Sequence, residues 1–163
     1  MSVAHRIRQF FRALRPAPTE AERIAVRAVL TPPQYALFAR LAVADQRHAV
    51  EVYRRVLAGG VADREVLQAA LLHDVGKAGS GLRLWQRVAA VLLDAWAPGF
   101  LAGLKARGPW RREFRAYVRH PERGARLARL AGSSERVVTL IAAHQNGAAG
   151  DPALALLRQA DDA

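Results

Sequence analysis

Apolar positions recur at helical spacing along most of the chain, with polar breaks at short intervals. Ile7, Phe10, Phe11 and Leu14 share one side of residues 2–15, with arginines between them, so this stretch reads as a short basic amphipathic segment closed by Pro16-Ala17-Pro18. Thr19 followed by Glu22 is a capping-box pattern and opens a helix to about Leu30. Thr31-Pro32-Pro33 restarts the chain, with Thr as N-cap and Pro at the first helical position. Asp45 to Ala58 reads as the next helix, ended by Gly59-Gly60. Asp63 caps a helix running through Val66, Leu67, Ala70 and Leu71 to His73, which Gly76, Gly79 and Gly81 break. Leu82 to Trp96 carries Trp85, Val88, Leu92 and Trp96 on one side; Phe100 to Leu104 and Trp110 to Arg119 follow across Gly and Pro breaks. Pro121 starts a helix that Gly132 ends, Ser133 or Ser134 caps another to about His144, and Asp151-Pro152 opens the last. No strand pattern and no internal repeat interrupts this series, so the expected class is an all-α bundle.

A length of 163 residues, 52% of them hydrophobic, suits one structural unit with a packed core. The absence of cysteine excludes a disulfide scaffold, a thiolate zinc site and a cysteine nucleophile, so any metal must be held by His, Asp or Glu. No secretory signal is visible, and apolar runs such as Val88 to Leu93 are too short to span a bilayer, so a cytoplasmic protein is expected. The net charge of +11 implies attraction to nucleic acid, nucleotides or anionic lipid, although a solvated arginine-rich surface accounts for it more simply. Residues 1–15 offer contact with a membrane surface or nucleic acid, against the simpler alternatives of packing on the body or terminal fraying. The tryptophans at 85, 96 and 110 could form an exposed apolar platform, but core packing is the plainer use of large aromatics.

The histidines change this picture. Val137, Leu140 and Ile141 precede His144 by seven, four and three residues, which places the imidazole at the inward end of an apolar stripe. Leu154 and Leu157 do the same for Asp161, and a carboxylate in that position is costly unless a cation meets it. His48 has Val52 four residues on, His73 and Asp74 end another stripe, and His120 stands at the N-cap of the helix that Pro121 starts, where it can project into a cleft. A lone inward histidine is ordinarily a hydrogen-bonded core residue. Five histidines and seven aspartates make a neighbouring His-Asp pair by chance roughly 0.2 times in such a chain. Four such histidines and two aspartates together are explained more economically by one shared centre of Fe, Mn, Zn or Mg. Lys77, one of two lysines against 23 arginines, lies in the same stretch, Leu71 to Gly79.

In this order His48, His73-Asp74 and Asp161 resemble the H…HD…D signature of the HD-domain metal-dependent phosphohydrolases, and "HDVGK" (His73 to Lys77) resembles the HDIG form of that motif. His120 to Gly132 and Val137 to Gln145 are similar to the two additional histidine segments of its two-metal members. The resemblance covers Asp45 to Ala163, leaving residues 1–44 as an N-terminal helical extension packed on or flanking an HD-type domain of residues 45–163; residues 1–44 and 80–115 rest on no motif. It implies an HD-like bundle with His48, His73, Asp74 and Asp161 on a first divalent ion, and Asp74, His120 and His144 on a second. Asp74 and Lys77 would be the catalytic pair, Lys77 facing the phosphate of a nucleotide or other phosphorylated small molecule. The Glu-Asp that follows the HD pair in pyrophosphohydrolase-type relatives is replaced here by Val75-Gly76-Lys77-Ala78, and the extended GYP signature of cyclic-di-GMP phosphodiesterases is absent. Arg119, Arg123 and Arg126 read as a solvated basic face. Asp161 lies close to the end of the sequence, where fraying is expected to act on it, with Asp162 as a substitute. The competing expectation is a catalytically weak HD-fold module that binds nucleotide or metal for regulation, with membrane or RNA association through residues 1–15.

Overall fold

Local capping chemistry sets most of the helix starts in the computed structural model, which describes residues 16–78, 111–145 and 150–163 with Gly103 and Gly108, and for 114 and 116 the backbone alone. Helix α1 (Glu20–Val29) opens on a complete capping box: the Thr19 hydroxyl accepts from the Glu22 amide, and the Glu22 carboxylate accepts from the Thr19 amide at 2.8 Å. In α2 (Pro32–Ala39) the Thr31 amide donates to the Gln34 side chain at 2.9 Å. Asp63 accepts from the Glu65 amide to start α4 (Arg64–Leu72), Ser134 from Val137 to start α7 (Glu135–Ala143), and Asp151 from Ala153 to start α8 (Pro152–Asp162). Between them lie α3 (Val43–Ala58), α5 (Arg111–Val118) and α6 (His120–Leu130). Gly60 and Gly132 sit at positive φ, 82° and 78°, just after α3 and α6, where a left-handed residue closes a helix.

Two expected boundaries shift. Helix α3 begins at Val43 instead of Asp45, from an Ala42 cap that offers no side-chain bond. His120 is the first helical residue of α6 and Arg119 is its N-cap, so His120 does not occupy the cap position. The readings for residues 2–15, Leu82 to Trp96, Phe100 to Leu104 and Trp110 lie outside the described residues.

Helix α4 is the axis of the packing. All seven residues from Val66 to Leu72 are buried, and α1, α2, α3, α7 and α8 all pack on it. A helix so largely apolar is stable only when surrounded in this way, and its one buried polar side chain, Gln68, donates to the Val29 carbonyl at 3.1 Å. Leu71, Leu72, Leu140, Ile141, Leu157 and Phe38 are fully buried, each worth roughly 1.5–3 kcal/mol relative to exposure. Val26, Leu30, Phe38 and Leu41 belong to the same core cluster as Leu71, so residues 20–41 share the core of residues 45–163. Arg47 ties α3 to α1 through two bonds to the Glu22 carboxylate, 2.7 and 2.6 Å, and Gln34 ties α2 to Ser133 at 3.0 Å. The described residues form eight α-helices and no strand, as the periodicity predicts. None of these helices is long and apolar enough to cross a membrane.

Candidate metal centre

Helix α4 ends at Leu72, and the chain turns through His73 and Asp74 into a single 3-10 turn, Val75–Lys77. Gly76 decides where this turn can go. A Cβ on Gly76 would stand 2.0 Å from the His120 carbonyl oxygen and 2.7 Å from the Gly124 amide nitrogen, both backbone atoms of α6. Gly124 answers from the other side, since its own Cβ would lie 3.2 Å from the Gly76 nitrogen and 3.3 Å from Ile141 Cγ2. The paired glycines let the turn dock on the first turns of α6, with His120 Nε2 3.2 Å from Asp74 Oδ1. From the sequence Gly76 is legible only as a helix breaker; this packing role depends on α6.

Three of the histidines are aimed by one local device. The Nδ1–H of His73 donates to the Ala70 carbonyl at 2.9 Å, that of His120 to Tyr117 at 2.7 Å, and that of His144 to Ile141 at 2.7 Å. Each partner is three residues back, and a carbonyl can only accept, so Nδ1 carries the proton and Nε2 points into the cluster. All three Nε2 atoms are buried and make no hydrogen bond. A histidine buried for packing alone satisfies its polar atoms; here three neighbouring rings, with centroids 5.2 Å apart for His73–His144 and 5.3 Å for His120–His144, each leave one nitrogen turned inward.

The carboxylates stand among them. Asp74 is 1% exposed. His48 donates from Nε2 to Asp161 Oδ1 at 2.7 Å, and His73 Nε2 lies 3.4 Å from Asp74 Oδ2 and 3.6 Å from Asp161 Oδ1. Lys77 Nζ lies 2.5 Å from Asp74 Oδ2 and 5.6 Å from the centre of the Tyr117 ring. Ligand atoms of His48, His73 and Asp74 fall within 4.8 Å of one another, as do those of Asp74, His120 and His144, and Asp74 belongs to both groups. Asp161 sits in the last turn of α8 with its side chain on His48, whereas Asp162 is exposed. All six expected metal-ligand residues therefore converge, and Lys77 joins them. Arg119 and Arg126 are exposed.

The electrostatics record a site hungry for positive charge. Burial alone would raise the Asp74 carboxyl, but Lys77 and His73 hold it well below the usual carboxylate range. Burial would likewise raise Asp161, yet the hydrogen bond from His48 and the nearness of His73 hold it far down. Burial would lower His73, but the charges of Asp74 and Asp161 outweigh it and push the imidazole up to about 10. Lys77 is raised above its ordinary value against its own burial, chiefly by Asp74. His144, farther from the carboxylates, is lowered to about 4 by burial and then by the charge on His73. The positive charge of Lys77 beside Asp74 offsets part of the cost of burying that carboxylate. The donor set, imidazole nitrogen with carboxylate oxygen and no thiolate, suits Fe, Mn, Zn or Mg.

Two contributors carry no signal in the spacing of chemistry-bearing residues. Tyr117 covers both His120, at a ring separation of 5.7 Å, and Lys77. Arg158 reaches the end of α7 from α8. Set against protein-family models, curated proteins and solved structures, the chain matches none.

Proposed function

We propose that this chain is a metal-dependent phosphohydrolase of the HD-domain type, acting on a phosphoester or phosphoanhydride bond of a nucleotide, dinucleotide or related phosphorylated small molecule. The observation that carries this reading is the trio of buried, unbonded Nε2 atoms around a carboxylate shared by two potential ligand groups. His48, His73, Asp74 and Asp161 would hold one divalent ion, and Asp74, His120 and His144 a second. Such a pair lowers the pKa of water and neutralises phosphoryl oxygens. The chain's own part is orientation. The Nδ1 bonds to Ala70, Tyr117 and Ile141 lock three rings before any ion arrives, which removes an ordering cost from binding. Lys77, held beside Asp74, supplies a point charge for a substrate phosphate. Phosphoryl transfer asks for positioning and charge more than for covalent chemistry, so the missing cysteine is no obstacle.

Metal analysis of the purified chain, followed by a screen of nucleotides and phosphoesters with added Mn²⁺ or Fe²⁺, tests this. Two ions per chain, and hydrolysis abolished by Asp74→Ala, are expected. Protein that takes up no metal and turns over none of the panel refutes it. A second reading has its own observation: Lys77 Nζ already pairs with Asp74 Oδ2, the carboxylate shared by both ligand groups. That favours a slow HD-fold module that holds metal or nucleotide for regulation, and binding without hydrolysis in the same screen selects it.

A further inference from the structure

We propose that Arg158 is a positioning residue that sets the orientation of His144, so that α8 serves both halves of the cluster. This rests on the two-metal reading above for its consequence but not for its geometry. The last carbonyls of an α-helix lack helical partners. At the end of α7 two of them are taken by one guanidinium: Arg158 Nε donates to the His144 carbonyl at 2.9 Å and Nη2 to the Ala143 carbonyl at 2.7 Å. The positive group also sits at the negative end of the helix. Two bonds from one rigid fork fix the rotation of that last turn as well as its position. The His144 ring has no freedom of its own, because its Nδ1 is tied to Ile141 in the same turn. The direction of His144 Nε2 is therefore the direction of the turn Arg158 clamps.

Arg158 precedes Asp161 by three residues, so the two share a face of α8. One helix thus delivers a carboxylate to the His48 group and a clamp to the His120–His144 group. The α8 backbone is itself tied to α3, where Arg55 Nη1 donates to the Ala160 carbonyl at 2.8 Å, two turns along from His48.

The test compares Arg158→Met, which keeps most of the stem and removes the donors, with Arg158→Lys and Arg55→Met, each in the full chain. Nitrogen-correlated NMR of the metal-free protein reads the tautomer of each imidazole, and Mn²⁺ titration reads the two affinities. Arg158→Met is expected to keep the local Nδ1–H bond of His144 but let its turn move, so that the His144 Nε2 resonance shifts while those of His73 and His120 stay, and to weaken one of two Mn²⁺ sites about tenfold or more. Arg158→Lys, with a single head, should fall between. Arg55→Met should spare the His144 signature. The inference is overturned if Arg158→Met leaves His144 and both affinities unchanged, or if all three histidines shift together in both methionine variants, which would mark a general loosening of α8. A wild-type chain that binds no Mn²⁺ sinks the two-metal reading, while the NMR arm still decides the role of Arg158.

Discussion

Replacing Gly76 by alanine isolates the contact that joins the HDVGK turn to α6. The new methyl would start 2.0 Å from the His120 carbonyl oxygen and 2.7 Å from the Gly124 nitrogen. Real contacts of this kind begin at about 3 Å, so the two backbones must part by roughly 1 Å, and no side chain can rotate away to relieve them. Gly76 does not have positive φ, so alanine meets no local strain and removes some freedom from the unfolded chain, a gain of about 0.4–1 kcal/mol. Overpacking of a fixed contact costs about 1–3 kcal/mol and wins. At about 2–4 °C per kcal/mol for a chain of this size, Tm should fall by several degrees. The displaced segment is the one that carries His120, and a ligand moved by about 1 Å no longer matches its partners. Thermal unfolding and metal stoichiometry measured on the same samples should therefore move together. Gly124→Ala provides the graded control, because its closest contacts are 3.2 and 3.3 Å and ask for a few tenths of an ångström. A Gly76→Ala protein with wild-type Tm and metal content would refute the claim that this glycine sets the docking of α6.

Asp161→Asn keeps the shape and removes the charge that His48 and His73 face, so bound metal should drop from two ions to one per chain by elemental analysis; two ions at unchanged affinity would contradict the assignment. The Glu22 carboxyl, lowered from 4.5 to about 2 chiefly by its bonds from Arg47, contributes stability that is present above pH 4.5 and is lost as pH falls toward 2. Glu22→Gln should flatten that part of a denaturation-versus-pH curve by roughly 1 kcal/mol, and an identical acid limb in both proteins would count against the pair. His73, pushed up to about 10, is protonated at neutral pH and must lose that proton to ligate, so metal uptake near pH 7 should release a proton and tighten as pH rises toward 10. Calorimetry in buffers of different ionisation enthalpy measures this directly, and a buffer-independent heat would refute it.

What could be read from the chain, and what could not, divides by range. Thr19 with Glu22, Thr31-Pro32, Asp63, Ser133 or Ser134, and Asp151-Pro152 mark helix starts because a cap is a bond within three residues, and all five reappear as starts, with Ser134 the cap of α7. The start of α3 was misplaced because Ala42 provides no side-chain bond to announce it. The inward direction of His144 and Asp161 followed from apolar stripes of four- and seven-residue spacing on their own helices, and both side chains do face the cluster. His120 lies one position further into α6 than Pro121 suggests, because Arg119 takes the N-cap place and the ring bonds back to Tyr117 at the end of α5. Gly76 against Gly124, and Arg158 against the end of α7, are contacts between distant segments, and no local pattern encodes them.

The same division explains why the cluster can exist at all. A buried and a half-buried carboxylate and three buried imidazoles would scatter if each were held separately, since every one costs desolvation. The fold instead makes each ring's orientation a property of its own preceding helical turn, then brings the turns together by backbone. Asp74 lies in the turn that Gly76 presses onto α6, His144 lies in the turn that Arg158 clamps, and Asp161 lies in the helix that Arg55 and His48 hold to α3. Side-chain rotamers are left little to decide. A cluster built this way owes its arrangement to backbone contacts, so the ligand atoms are brought together by the packing of the turns and not by the side chains' own choice of rotamer.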